Sequence, residues 1–121
     1  MDKKELKAAL AKFTRIRHLY RHWSGAFHYT DGVAFLAENA GAEWLLDHIA
    51  AHQKHVRKDS DLRDLQIWAL RVTGSLKAEI TCSRTKKDVA FREEMQLFSP
   101  FPLDEVTLYL EDETLLLSSE R

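Results

Sequence analysis

A chain of 121 residues has room for one hydrophobic core and not for a second independent one. Its 45% hydrophobic and 31% charged residues exclude a disordered chain, and no apolar run approaches the ~20 residues that span a bilayer. A net charge of −1 excludes a globally basic nucleic-acid binder, so any such surface has to be local.

In chain order, Asp2 with Glu5 three residues on is a capping-box spacing, and Leu6, Leu10 and Phe13 recur at helical intervals; a short amphipathic helix is predicted over Lys3–Lys12. Residues 14–27 show no clean period and read as an irregular, partly packed connection punctuated by Ser24-Gly25. Thr30 or Asp31 then caps a short helix that Asn39-Ala40-Gly41 stops. A longer helix follows over Ala42–His55, with Ala42, Leu45, Ile49 and Val56 on one stripe and Leu46 at its edge. Residues 54–64 are charged and cross from helices to sheet.

From Leu65 the period becomes two. Leu65–Thr73 reads as a strand, Gly74-Ser75 as a turn, and Leu76, Ala78, Ile80 and Cys82 as the inward face of the next strand. In the third strand Val89, Phe91, Met95 and Leu97 face inward. Glu93 breaks that pattern, which places it near a sheet edge or beside a basic partner. Ser99-Pro100-Phe101-Pro102 ends that strand, since proline cannot donate to a ladder. Val106, Leu108 and Leu110 run up to an acidic tip, Glu111-Asp112-Glu113, and Leu115 and Leu117 run down from it.

The expected fold is therefore one α+β domain over 1–121, with a helical half at 1–58 and a sheet half at 65–119. Its N-terminal helices pack on one face of a C-terminal antiparallel meander of about 4–5 strands. Cys82 is a small core residue in this reading, not a nucleophile. No secretory signal pattern follows Met1, and a lone cysteine makes no internal disulfide; both favour a reducing, cytoplasmic setting.

The charge is unevenly spread. Residues 1–58 carry a balance of +4 and all six histidines, and residues 59–121 a balance of −5. Two packed layers would then present unlike charge on their outer sides. The basic end concentrates in Lys12, Arg15, Arg17, Tyr20, Arg21, His22 and Trp23, where cations alternate with aromatics. That pattern suits an acidic protein partner, or phosphate contacts with base stacking; the competing reading packs the aromatics on the core and snorkels the arginines outward.

Catalytic and metal signatures are poor. His48, His52 and His55 share a helical stripe, with Asp47 or Glu43 as conceivable oxygen donors, yet HExxH is missing and Lys54, Arg57 and Lys58 crowd the far end. Ser24, His28 and Asp31 supply hydrolase residue types without a framing motif, and none of the four glycines forms a phosphate loop. No enzyme, metal or cofactor is expected.

Two stretches carry a resemblance: Arg21-His22-Trp23 with Tyr29-Thr30-Asp31-Gly32 through Trp44-Leu45-Leu46-Asp47, and Phe101-Pro102-Leu103-Asp104 through Leu110, closed by Leu115 to Glu120. Together they resemble a family of small bacterial and mobile-element proteins known only as a domain of unknown function. The histidines at 48, 52 and 55, and the acidic hairpin tip in place of an Asn/Gly-type turn, depart from its pattern. The resemblance implies no activity. It implies a mobile-element accessory or anti-defence role. The lack of an assembled catalytic set, the charge polarity and the aromatics of the irregular segment point to a non-catalytic module that binds a protein partner, self-association included. Nucleic-acid binding through 12–23 is the alternative; no membrane or small-molecule cofactor enters either reading.

Overall fold

The Asp2 carboxylate accepts the Glu5 N–H at 2.8 Å and opens α1, Lys3–Ala11, in the computed structural model, which describes residues 1–121. The segment 14–27, read as irregular, contains a three-residue strand, β1 (Leu19–Arg21), and leads through a turn with Gly25 at φ +78° into a second, β2 (His28–Thr30). Each is too short to show an alternation of its own. Helix α2, Asp31–Ala40, starts on the Thr30 hydroxyl, which accepts the Val33 N–H at 3.1 Å, and stops at Gly41 in the left-handed conformation. Helix α3, Glu43–Val56, buries the stripe read from its sequence: Leu45, Leu46, Ile49 and Val56, with Ala42 just before it.

After a 3₁₀ turn at Ser60–Leu62 come β3 (Leu65–Gly74), β4 (Lys77–Thr85), β5 (Asp88–Gln96), β6 (Glu105–Glu111) and β7 (Thr114–Leu117). The sheet has seven strands in the order β1-β2-β7-β6-β3-β4-β5, so the expected 4–5-stranded antiparallel meander is corrected in size, order and direction. Strand β2 runs parallel to β7, pairing His28 with Thr114 and Tyr29 with Leu115. Strand β6 pairs with β3 rather than β5. The eight residues 97–104 carry the chain from the edge back past β4 and β3 to the far side of β3, three strand spacings or about 14 Å, well within their reach. The division into helices first and sheet second also gives way, because β1 and β2 lie between α1 and α2, and a 3₁₀ turn (Ser118–Glu120) follows the last strand.

The buried residues of α1, α2 and α3 share one core cluster with the inner face of the sheet, including Trp68, Leu70, Ile80, Cys82, Leu108 and Leu115. Burial raises the Cys82 thiol to about 12, which keeps it an inert core residue. Val89 departs from its expected place. A β-bulge between Cys82↔Phe91 and Ser83↔Val89 inserts Ala90, so Val89 joins Ser83 on the outer face. Glu93 meets both expectations: β5 is an edge strand, and Glu93 finds basic partners in α3. No helix is long and apolar enough to cross a membrane.

The β6–β7 hairpin turns on Asp112 and Glu113, both at positive φ (49° and 64°), flanked by the Glu111↔Thr114 pair. A two-residue loop with both centres left-handed matches the strand twist but strains any residue with a Cβ, which is why Asn-Gly is preferred there. Glu113→Gly is therefore expected to stabilise the protein by roughly 0.5–1 kcal/mol. A urea midpoint that rises at constant slope would show it.

Candidate functional site

The cation and aromatic segment read from the sequence lies at the free edge of the sheet. Strand β1 pairs only with β2, and Leu19, Tyr20 and Arg21 are all exposed. Ile16 and Trp23 flank it; Trp23, at 81% exposure, is the most open residue of the group. Tyr20 stacks on Tyr29 with ring centroids 5.6 Å apart. Lys12, Arg15 and Arg17 line a shallow cleft with Phe13 and Asp31, where the Arg17 N–H reaches Asp31 Oδ1 at 3.3 Å. Lys12, Arg15, Arg17 and Arg21 enter none of the molecule's ion pairs. Elsewhere the two halves do neutralise each other, through Lys3–Asp104 at 2.5 Å and Arg57–Glu113 at 3.8 Å.

His22 does not belong with the exposed set. It is 4% exposed, with Nε2 2.8 Å from Asp47 Oδ1 and Nδ1 2.7 Å from Ser24 Oγ. The Ser24 N–H also points at Nδ1 (3.2 Å), which assigns the ring proton to Nε2, donating to Asp47. Trp23 Nε1 donates to the same Asp47 oxygen at 2.8 Å. Serine, histidine and aspartate are thus in line, but of the three residues the sequence suggested only Ser24 takes part. Ser24 bonds His22 rather than His28, and Asp31 accepts from Arg17. Ser24 Oγ is occupied by the Ala26 N–H (3.1 Å), and the His22 N–H and C=O close the same turn onto Phe27 and Gly25. The arrangement fixes the β1–β2 turn against α3 and sets Trp23 beside a cleft of about 620 Å³ lined by Arg21, Tyr29, Glu38 and Glu43.

A second cluster forms where α3 faces β5. His48 Nε2 lies 3.1 Å from Glu93 Oε2, His52 Nε2 lies 3.4 Å from the same oxygen, and the two Nε2 atoms are 3.2 Å apart. The His52 ring packs on Phe91 and Trp68, with centroids at 5.3 and 6.0 Å. Burial is the main cause that lowers the His52 pKa, followed by the neighbouring His48. His55 is exposed and takes no part, and Asp47 is committed to His22. The carboxylate comes instead from Glu93, 45 residues from His48 in the chain. Its only signal in the sequence was an acidic residue in an inward strand position.

The expected unlike charge on the two outer sides is corrected at the sheet. Its outer face mixes Arg71, Lys86 and Arg92 with Glu79 and Glu105, and Glu79 lies 3.4 Å from Arg71 and 3.5 Å from Arg92. Unpaired cations also occur elsewhere, at Lys54, Lys58, Lys77 and Lys87 among others; what distinguishes 12–21 is that its cations stand beside exposed apolar side chains.

The chain belongs to a family of unknown function (DUF6876), whose model matches residues 4–121. No curated protein and no solved structure matches it.

Proposed function

We propose that this chain is a non-catalytic protein-interaction module whose contact surface is the β1 edge with Lys12, Arg15, Arg17, Tyr20, Arg21 and Trp23. The observation that carries the reading is an unpaired strand edge whose neighbouring apolar side chains, Ile16, Leu19, Tyr20 and Trp23, are all exposed beside unpaired cations. A free edge offers a row of backbone donors and acceptors to an added strand. Exposed aromatics and arginine are the residues that contribute most to protein contacts. The partner is an extended acidic segment of another protein; a second copy of this chain, through its own acidic hairpin, is the self-associating form. Phe98, the other fully exposed aromatic, stands beyond β5 at the far end of the strand order and has no comparable setting.

A bacterial, cytoplasmic setting and a mobile-element accessory or anti-defence role belong to this proposal. The buried, unreactive thiol suits a reducing compartment. Affinity capture from a bacterial lysate tests it, comparing the wild type with a Leu19→Lys/Trp23→Ala variant. Leu19 is exposed and Trp23 gives up one exposed hydrogen bond to Asp47, so the variant is expected to stay folded with a loss of about 1 kcal/mol. The expected result is a partner retained by the wild type and lost by the variant. Identical capture by both proteins would contradict the proposal.

The stacked Tyr20–Tyr29 pair beside four free cations also favours single-stranded nucleic acid as a second reading. It requires anisotropy-detected binding of a labelled oligonucleotide that weakens steeply between low and moderate salt. A flat titration at low salt would remove it.

A further inference from the structure

The three atoms His48 Nε2, His52 Nε2 and Glu93 Oε2 form a triangle with sides of 3.1, 3.2 and 3.4 Å. Hydrogen bonding alone does not satisfy that triangle. An ionised carboxylate only accepts, and each neutral imidazole carries one proton. If both Nε2 atoms are protonated, both donate to Glu93, and the two N–H groups then face each other at 3.2 Å with no acceptor between them. If only one is protonated, one side of the triangle brings two lone pairs together. A cation at the centre satisfies all three sides at once.

The size of the triangle matches a particular kind of cation. Tetrahedral zinc with ligand bonds of about 2.0–2.2 Å holds its donor atoms about 3.3–3.6 Å apart, so the two shorter sides open by a few tenths of an ångström around it. Two imidazoles and a carboxylate suit a borderline divalent metal better than magnesium or calcium, which take oxygen. The two histidines come from successive turns of one helix, and the stack of His52 on Phe91 and Trp68 restrains its ring. Of the cations near the cluster in sequence, Arg92 reaches Glu79, Arg57 is turned to the Ala26 carbonyl and Gln53, and Lys54 makes no ion pair with Glu93.

We infer that His48, His52 and Glu93 form a zinc-binding site that fastens the edge strand β5 to α3. The fourth position faces solvent and is filled by water, because all three side chains are partly exposed. Zinc here joins two elements that otherwise meet through side-chain packing, so it stabilises the β5 end of the sheet. The site lies on α3 and β5, whereas the proposed contact surface lies on β1 at the other end of the strand order.

The test is calorimetric titration of Zn²⁺ into the chelator-stripped full chain, with His48→Ala, Glu93→Gln and His55→Ala variants alongside. The wild type is expected to bind one zinc per chain and to gain melting temperature as zinc is added. His48→Ala and Glu93→Gln are expected to weaken binding by at least about tenfold. His55→Ala, outside the triangle, is expected to bind as the wild type does. Glu93→Gln keeps the shape of the side chain, so it reads the ligand even if an alanine variant fails to fold. No saturable binding to the wild type, or equal binding by the wild type and Glu93→Gln, would overturn the site. So would a loss confined to His55→Ala.

Discussion

Glu120→Ala is expected to lower the unfolding free energy by about 2–4 kcal/mol and the melting temperature by roughly 10 °C. Glu120 is only 8% exposed, and its carboxylate receives three donors. The Thr30 hydroxyl (2.6 Å) and the Leu117 N–H (3.0 Å) meet Oε1, and the Gly32 N–H (3.3 Å) meets Oε2. The charge sits at the N-terminus of α2, where the helix dipole favours an anion. Removing it leaves buried donors unpaired, and an unpaired buried donor costs more than the net worth of the bond it made. The neighbouring residues form one latch: Ser119 Oγ donates to the Leu10 carbonyl at 3.2 Å, and Arg121 grips Glu111 and covers the Tyr109 ring.

Gly32 has its reason in the same contact. A Cβ at position 32 would lie 2.7 Å from the Glu120 carboxylate carbon and both its oxygens. Gly32→Ala alone is therefore expected to destabilise, by displacing that carboxylate. In the Glu120→Ala background the same substitution is expected to be close to neutral, since the clash is gone. That non-additivity, read from four urea curves, separates this contact from a general preference for glycine.

Gln66→Leu is the second large effect, expected at about 3–4 kcal/mol. Gln53 and Gln66 exchange both amide hydrogen bonds at 2.8 Å inside the core. Gln66 Oε1 also accepts from Trp68 Nε1 (2.8 Å), and its Nε2 donates to the Leu62 carbonyl (2.9 Å). Gln53 adds its own bonds to the Ile49 carbonyl and Arg57 Nε. No buried side-chain polar atom in the molecule lacks a partner, so this network is fully satisfied and ties α3 to β3. Leucine fills a similar volume but orphans the Trp68 N–H and half of the Gln53 amide. Gln53→Leu in the same background is expected to cost less than it does alone, because part of its network is already lost. Denaturant unfolding of the two single variants and the double variant checks both the size and the coupling.

Periodicity made the long elements legible: α1, the α3 stripe, the alternation of β4, and the acidic hairpin each stand where their residues place them. Capping chemistry did the same for Thr30 and Gly41. What escaped were contacts between residues far apart in the chain. Strands β1 and β2 have three residues each, and β2 is held by a parallel neighbour that appears 84 positions later. Glu120 has no local pattern to mark it, although it meets the start of a helix that begins at position 31. Gln66 sat in a strand-forming run with nothing local to mark its partner in α3. At the sites, the exposed cations and aromatics of 12–23 were visible in composition. The inward turn of His22 depends on Asp47, and the convergence of Glu93 on His48 and His52 depends on β5 being an edge strand packed beside α3. The two stretches that carry the family resemblance meet at the Thr30–Gly32–Glu120 contact.

The proposed contact surface is the β1 edge with the segment before it. Amide hydrogen exchange of the chain, alone and with its captured partner bound, tests this most directly, because a strand added to a free edge protects that edge's amides. Slowed exchange is expected across residues 15–23, including β1, with β4 and β5 unchanged. Protection confined to the outer sheet face or to β5, with residues 15–23 exchanging as in the free chain, would contradict it.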